Sequence, residues 1–112
     1  MRTITAASDV ERLFTQGSRT SAGPLSIVAT PSPAYAGGEG RVIFVAGRKL
    51  GGAVVRNRSK RVLREACRRA GGPWAGHDVA LIGRGGAATS TPAELDAALA
   101  SCLRRAGLRS GA

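Results

Sequence analysis

Residues 54–69 carry the clearest two-faced pattern in the chain. Apolar and small side chains recur there at the spacing of one helical face, at Val55, Ser59, Val62, Leu63, Ala66, Cys67 and Ala70. The opposite arc is cationic and consists of Lys60, Arg61, Arg64 and Arg68, with Asn57, Arg58 and Arg69 towards its edges. The pattern predicts one amphipathic helix that packs its apolar stripe on a core and turns a basic face outward.

Runs rich in β-branched residues predict three main strands, over residues 25–30, 41–46 and 78–84. The first two are joined by a segment whose Pro and Gly content predicts a loop that carries Tyr35. Beyond the basic helix, two glycines and a proline predict its end, and Trp74 is expected to pack over the edge of the core.

Two further helices are predicted, one near each end of the chain. Ser8 and Glu11 have the spacing of a capping box, which predicts a helix over residues 9–16. Thr91 and Glu94 form a second such pattern, with proline at the first helical position. The helix that follows has a continuous apolar stripe at Leu95, Ala98, Leu99, Cys102, Leu103 and Ala106.

The order of these elements is helix, strands, helix, strand, helix. It predicts an α+β fold, a two-layer sandwich in which helices cover a mainly antiparallel sheet. With 112 residues the chain is long enough for one modest core. A single domain is therefore expected over residues 1–112, with an ordered core over about 9–108.

Charge predicts the chemistry of the partner. The chain has 17 Lys and Arg against 7 Asp and Glu, a formal net charge of +10, and Glu65 is the one acid among the cations of the basic helix. Like charges three and four residues apart repel one another, and a polyanion relieves that repulsion. A membrane surface is a poorer match, because an apolar stripe of Val, Leu, Ala and Cys suits packing on a sheet. No signal segment is evident, and a cytoplasmic location is expected.

The other reactive residue types predict neither a metal site nor an active site within the protein. Cys67 and Cys102 lie on apolar helix faces without metal-ligand spacing, so reduced core thiols are expected. His77 is the only histidine and is expected to be structural or exposed. The glycines before the basic helix match no phosphate-loop pattern. The seven acids have the positions of caps and surface residues: Asp9, Glu11, Glu39, Glu65, Asp78, Glu94 and Asp96.

The segment GGAVVRNRSKRVLREA, residues 51–66, closely resembles the arginine-asparagine-arginine signature of the bacterial ribonuclease P protein component. The resemblance extends more weakly over residues 9–108. It implies a fold like the second domain of ribosomal protein S5, with a brief extra strand near residues 19–21. General rules favour a right-handed strand-helix-strand crossover. The family implies a left-handed crossover through the basic helix, and we predict the left-handed form.

The resemblance also implies a function, that of the protein subunit of ribonuclease P. Such subunits bind the catalytic RNA and the 5′ leader of precursor tRNA, and the RNA with its Mg²⁺ ions removes the leader endonucleolytically. The protein alone is expected to be inactive and to bind no cofactor. The RNA-contacting residues that the resemblance implies are Arg56, Asn57, Arg58, Lys60, Arg61, Arg64 and Arg68. The residues that it implies for a leader cleft are Phe14, Val28, Arg48 and Lys49.

The chain departs from the family where Val10 and Val28 stand in place of frequent aromatic residues, and where only Arg2 represents a basic N-terminal extension. From the residues alone, the favoured interpretation of Phe14 is a core anchor. Two other functions stay open. A ribosome-associated or RNA-chaperone module would share the basic helix but would not prefer RNAs with a leader. A self-sufficient metal-dependent nuclease would need acidic ligands that converge on one site.

Overall fold

A computed structural model describes residues 1–33 and 37–108, so the predicted loop position of Tyr35 lies outside the described residues. Three helices and four strands follow one another as α1 (Ala7–Gln16), β1 (Ser18–Ala22), β2 (Leu25–Pro31), β3 (Arg41–Ala46), α2 (Ala53–Arg69), β4 (His77–Gly83) and α3 (Pro92–Arg105). Short 3₁₀ turns occupy Arg48–Leu50 and Ala87–Thr89. The α+β class and all three predicted main strands are confirmed, and β1 is the brief strand expected near residues 19–21.

The four strands form one sheet in the order β1-β2-β4-β3. The pairs β1–β2 and β2–β4 are antiparallel, while β3 and β4 are parallel neighbours joined through α2. The sheet is therefore mainly antiparallel, as predicted, with one strand-helix-strand crossover at the basic helix. The left hand of that crossover stays a prediction.

Alternate side chains of the strands enter two separate apolar clusters, as the pleat of a sheet requires. Ile27, Phe44 and Leu81 belong to the larger cluster, which α2 and α3 cover with side chains such as Leu63 and Leu99. On the other face lies a smaller cluster of Ile4, Leu13, Val28 and Ala80, with Val10, Ile43 and Ile82 at its edge. Because α1 supplies Leu13, it adds a partial third layer to the expected two.

The two predicted capping boxes have different outcomes. At α3 the box is confirmed, since the backbone N–H of Glu94 donates to Thr91 Oγ1 over 3.2 Å and that of Thr91 donates to Glu94 Oε1 over 2.8 Å. The box expected at Ser8 is wrong, because α1 begins at Ala7 with Ala6 as an N-cap that makes no side-chain bond. The chain enters this helix from a bridge between Thr3 and Val42 on the edge of β3. That pairing fixes where the helix starts.

The expectation that all seven acids lie at caps or on the surface is wrong for two of them. Asp78 is 0% exposed and Asp9 is buried, and both form ion pairs with Arg41. A buried carboxylate is tolerated when cationic donors surround it, and the donors come from distant parts of the chain. Local sequence therefore gives no sign of this burial.

The expectations for the two cysteines, Trp74 and His77 agree with the structure. Cys67 and Cys102 are buried free thiols, and burial raises the pKa of Cys67 to about 11 and that of Cys102 above its ordinary value. Trp74 packs against the larger cluster, and His77 is half-buried at the start of β4. Among the described helices, none has the length and apolar character needed to cross a membrane.

Candidate nucleic-acid interface

Helix α2 begins after two glycines, at a point where the backbone needs conformational freedom. Gly51 has φ 131°, in the region that favours glycine, and Gly52 is the N-cap residue. The apolar stripe then packs inward through Ser59, Leu63, Ala66 and Cys67, which are buried. The hydroxyl of Ser59 is satisfied inside the helix, because it donates to the carbonyl of residue 55 over 2.9 Å. The predicted core face of α2 is confirmed, except that Val55 is exposed.

The cationic residues of α2 occupy three flanks of the helix, because 100° of rotation separates successive residues. One flank overhangs β3 and carries Arg56, Lys60 and Arg64. The guanidinium carbon of Arg64 lies 5.3 Å from the centroid of the Phe44 ring, within the range of a cation–π contact. The contact shows that this flank of α2 lies over β3, the last strand in the order of the sheet.

The flank on the opposite side of α2 uses its arginines within the protein. Arg58 Nε donates to the carbonyl of Ala88 over 2.9 Å, which ties the helix to the loop after β4. Arg69 forms an ion pair with Asp96 of α3, with a separation of 2.9 Å. Arg58, one of the seven residues predicted to contact RNA, therefore also supports the fold.

The outermost flank presents Asn57, Arg61 and Arg68 to solvent. Val54 is 82% exposed, and it lines a shallow groove of about 430 Å³ together with Asn57, Arg58 and Arg61. An exposed apolar side chain among amide and guanidinium groups can pack on a ribose or a base while its neighbours contact phosphates. The structure thus brings Arg56, Asn57, Lys60, Arg61, Arg64 and Arg68 onto two adjacent flanks of one helix.

A second surface lies on the sheet face that α1 partly covers. Val45 and Ile82 are direct neighbours across β3 and β4 on this face. With Arg48, Lys49 and Arg84 they line a groove of about 550 Å³ at the end of the sheet where the parallel strands finish. We call this groove, together with Phe14 on the facing side of α1, the cleft. Its floor is apolar and its rim is cationic.

The four residues predicted for a leader cleft do not all reach its surface. Arg48 and Lys49 are exposed on the 3₁₀ turn, and Phe14 is 39% exposed, so Phe14 is not the core anchor that its sequence pattern favoured. Val28 is only 2% exposed because α1 covers it. Its side chain supports the helix and is not available to a ligand.

Sequence analysis missed Val45 and Ile82 as parts of this surface. The signal was present in the run Val-Ile-Phe-Val of β3, since a strand that is apolar at consecutive positions has both faces covered or functional. One face of that strand packs under α2, and the other supplies the floor of the cleft.

The acids of the described residues do not form a metal site. No group of three or more His, Cys, Asp or Glu side chains converges within residues 1–33 and 37–108. Asp9 and Asp78 approach each other through Arg41, whose guanidinium contacts both carboxylates. A divalent cation would have to compete there with a bound arginine, so these residues do not fit a metal ion.

These features define a class, that of small basic α+β proteins in which a cationic helix lies beside an apolar cleft with a cationic rim. Comparisons with known proteins then identify the family. The family model named Ribonuclease P matches residues 2–107. A ribonuclease P protein component of Dehalococcoides mccartyi (strain CBDB1) is 36% identical over 108 residues, which are 96% of this chain and 86% of that relative.

Solved structures show the same fold. The RNase P protein of Staphylococcus aureus superposes with a TM-score of 0.80 at 22% identity, covering 98% of this chain and 99% of that one. The RNase P protein of Thermotoga maritima superposes with a TM-score of 0.76 at 23% identity, covering 99% of this chain and all of that one. The chain belongs to the ribonuclease P protein component family.

Proposed function

We propose that this chain is the protein subunit of ribonuclease P, which binds the catalytic RNA and the 5′ leader of precursor tRNA. The proposal assigns the removal of the leader to the RNA and its Mg²⁺ ions, and the protein assists by adding affinity for the substrate. It also places the chain in the cytoplasm as a single domain. The proposal is carried by one observation: two adjacent flanks of α2 carry only positive charges, in a chain that belongs to this family.

The two flanks are suited to the phosphate backbone of a folded RNA. Each arginine that neutralises a phosphate releases condensed counterions, which is the main source of affinity in such interfaces. Arginine also offers a planar fork that fits phosphate oxygens in pairs. Arg64 is held in place by Phe44 before RNA arrives, so less side-chain entropy is lost when it binds.

The cleft is suited to a single strand. Unpaired bases stack on aromatic side chains and pass over apolar floors, while cations at the rim follow the backbone. Phe14 offers the aromatic surface, Val45 and Ile82 the floor, and Arg48 and Lys49 the rim. We assign Val28 to the support of α1, which leaves Phe14 as the aromatic side chain of the predicted cleft that can stack on a base.

We assign the chemistry to the RNA because the residues that the structure describes bring together no set of acids that could hold metal ions for phosphodiester hydrolysis. Mg²⁺ ions bound to the RNA would supply the activated water and stabilise the leaving oxygen. In the described part of the chain the buried acids are engaged by Arg41 and Arg12. In this proposal the chain binds and orients RNA, and metal binding and proton transfer are assigned to the RNA.

The proposal is tested by adding the purified protein to a bacterial ribonuclease P RNA at a Mg²⁺ concentration at which the RNA alone cleaves slowly. We expect the protein to raise the rate of correct 5′ cleavage of precursor tRNA. A charge-matched basic protein without this fold is the control. Binding of both RNAs without faster cleavage, and without preference for a leader, would indicate an RNA-chaperone module and contradict the proposal.

A further inference from the structure

We propose that the buried ion pairs of Asp9, Arg12, Arg41 and Asp78 are positioning residues that hold α1 at the distance from the sheet that leader binding needs. This inference rests on the proposed function of the cleft. We refer to the four residues as the ion-pair cluster. They contact no RNA in this proposal and act through Phe14.

The ion-pair cluster is centred on Asp78 at the start of β4. Arg41 of β3 donates to both of its carboxylate oxygens, over 3.0 and 2.7 Å, and also to Asp9 of α1 over 3.1 Å. Arg12 of α1 donates to Asp78 over 2.6 Å, and Ser32 adds a hydroxyl at 3.2 Å. Two side chains of α1 are thus attached to two neighbouring strands. Such bonds between charged groups are directional, so they fix the position of the helix more closely than apolar packing alone.

The cluster and the cleft lie on opposite flanks of α1. With Leu13 pointing into the sheet, the helical period places Asp9 and Arg12 on one side and Val10 and Phe14 on the other. Arg12 reaches the end of the sheet where β4 begins and where β2 ends, at Pro31. The helical period therefore directs Phe14 towards the opposite end of the sheet, where the parallel strands β3 and β4 both finish and where Val45 and Ile82 floor the groove.

Because of this arrangement, loss of the ion pairs should change the position of Phe14 in the cleft. If its bonds are lost, α1 remains on the sheet through Leu13 but is free to shift or rotate about its axis. Phe14 then loses its fixed distance from the floor, while α2 on the other face of the sheet is unaffected. Leader affinity should therefore fall without loss of affinity for the catalytic RNA.

The test uses holoenzyme reconstituted from the protein and a bacterial ribonuclease P RNA. The measured quantity is the ratio of affinities for precursor tRNA with a leader and for tRNA without one. We expect Arg12→Met and Asp9→Asn each to lower this ratio on the order of threefold to tenfold, part of what one stacked base supplies. Affinity of each variant for the catalytic RNA should stay within about twofold of that of the unchanged protein. Arg12→Lys, which keeps a donor, should recover part of the loss.

Two comparisons separate positioning from charge and from instability. Asp9→Asn makes the protein more cationic, so a purely electrostatic effect would strengthen leader binding, whereas loss of position weakens it. Arg69→Met removes one cation from an ion pair of similar length on the opposite face, and it should leave the ratio unchanged. Arg12 has a side chain 23% exposed, so its variants should fold even if Asp9→Asn does not.

The outcomes distinguish this inference from the proposed function. Phe14→Leu is measured beside the other variants. If Phe14→Leu lowers the ratio but Arg12→Met does not, the ion-pair cluster has no positioning role and the inference is wrong. If Phe14→Leu also leaves the ratio unchanged, the leader is not read at the cleft and both proposals fail. Equal losses for the leader and for the catalytic RNA would show a general structural role and likewise overturn the inference.

Discussion

The guanidinium of Arg64 lies over the ring of Phe44, 5.3 Å from its centroid, at the point where α2 overhangs the outer strand of the sheet. Phe44 belongs to the larger apolar cluster, so a residue of the core orients the side chain of a cationic residue at the surface. The contact places Arg64 on the same flank as Arg56 and Lys60 and next to the flank of Asn57, Arg61 and Arg68. Two adjacent flanks of α2 thus form one continuous cationic surface.

Salt dependence reports which cations of this surface meet phosphates. Replacing Arg61, Arg64 or Arg68 by Ala should each reduce the slope of log affinity for the catalytic RNA against log salt by about 0.7 to 0.9. Arg69→Ala is the control on the same helix, because its guanidinium is engaged by Asp96, and its effect on the slope should be smaller. Unchanged slopes in all three variants would place the RNA on another surface.

The exposed ring of Phe14 separates leader binding from assembly. Because stacking of an unpaired base contributes roughly 1 to 3 kcal/mol, Phe14→Leu should weaken binding of leader-bearing tRNA by an amount in that range. Assembly with the catalytic RNA and the melting temperature should change little, since the side chain is partly exposed. A large loss of stability would instead show that Phe14 serves mainly to pack α1 and not to bind the leader.

The cap of α3 gives a prediction about pH. Hydrogen bonding to the backbone and hydroxyl of Thr91 lowers the pKa of Glu94 in the folded protein. A carboxylate whose pKa is depressed by folding stabilises the protein above its unfolded pKa, and this contribution is lost as pH falls through the folded pKa. Thr91→Ala removes the N-cap hydroxyl and should destabilise the protein by about 1 kcal/mol at pH 7, the usual value for a lost N-cap.

The difference in stability between the unchanged protein and Thr91→Ala should shrink in part as the pH is lowered towards 3. Protonation of Glu94 removes the share of its stabilisation that depends on the Thr91 hydroxyl, while the backbone N–H of residue 91 is present in both proteins. Thermal unfolding of the two proteins across this pH range measures it, and other carboxylates cancel in the comparison. A difference that stays constant with pH would mean that the Thr91 hydroxyl does not stabilise the charged form of Glu94, whose backbone bond to residue 91 is kept in both proteins.

The protein without RNA should cleave nothing. Its buried acids are bound to arginines, and the described residues hold no convergent set of metal ligands. Incubation of the RNA-free protein with precursor tRNA and Mg²⁺ measures this directly, with Glu65→Gln as a variant at an exposed acid among the cations of α2. Specific 5′ cleavage that Glu65→Gln abolishes would make the protein itself the nuclease.

Features encoded by neighbouring residues were predictable from the sequence, and features that depend on distant contacts were not. The apolar and cationic faces of α2 follow from a helical period within 17 residues, and the cap of α3 from a spacing of three. The burial of Asp78 depends on Arg41 and Arg12, which are 37 and 66 residues away. No local pattern reports contacts at that separation.

The cleft was predictable only in part for the same reason. The resemblance to the ribonuclease P protein implied Phe14, Arg48 and Lys49, and the structure exposes all three. Val28 appeared equivalent to them, but its exposure depends on where α1 lies, and α1 covers it. α1 starts at Ala7, soon after Thr3 pairs with Val42, and the capping pattern at Ser8 could not reveal that long-range pairing.

The central claim is that the protein adds affinity for the leader to a catalytic RNA that already recognises tRNA. The direct measurement is the dissociation constant of tRNA with a leader and of tRNA without one, each measured for the catalytic RNA alone and for its complex with this protein at the same salt and Mg²⁺ concentrations. We predict that the protein tightens binding of the leader-bearing tRNA at least about tenfold more than binding of the leaderless tRNA, as one or two stacked bases supply. Equal tightening of both would contradict the claim, because it would show that the protein raises the affinity for tRNA in general and makes no specific contact with the leader.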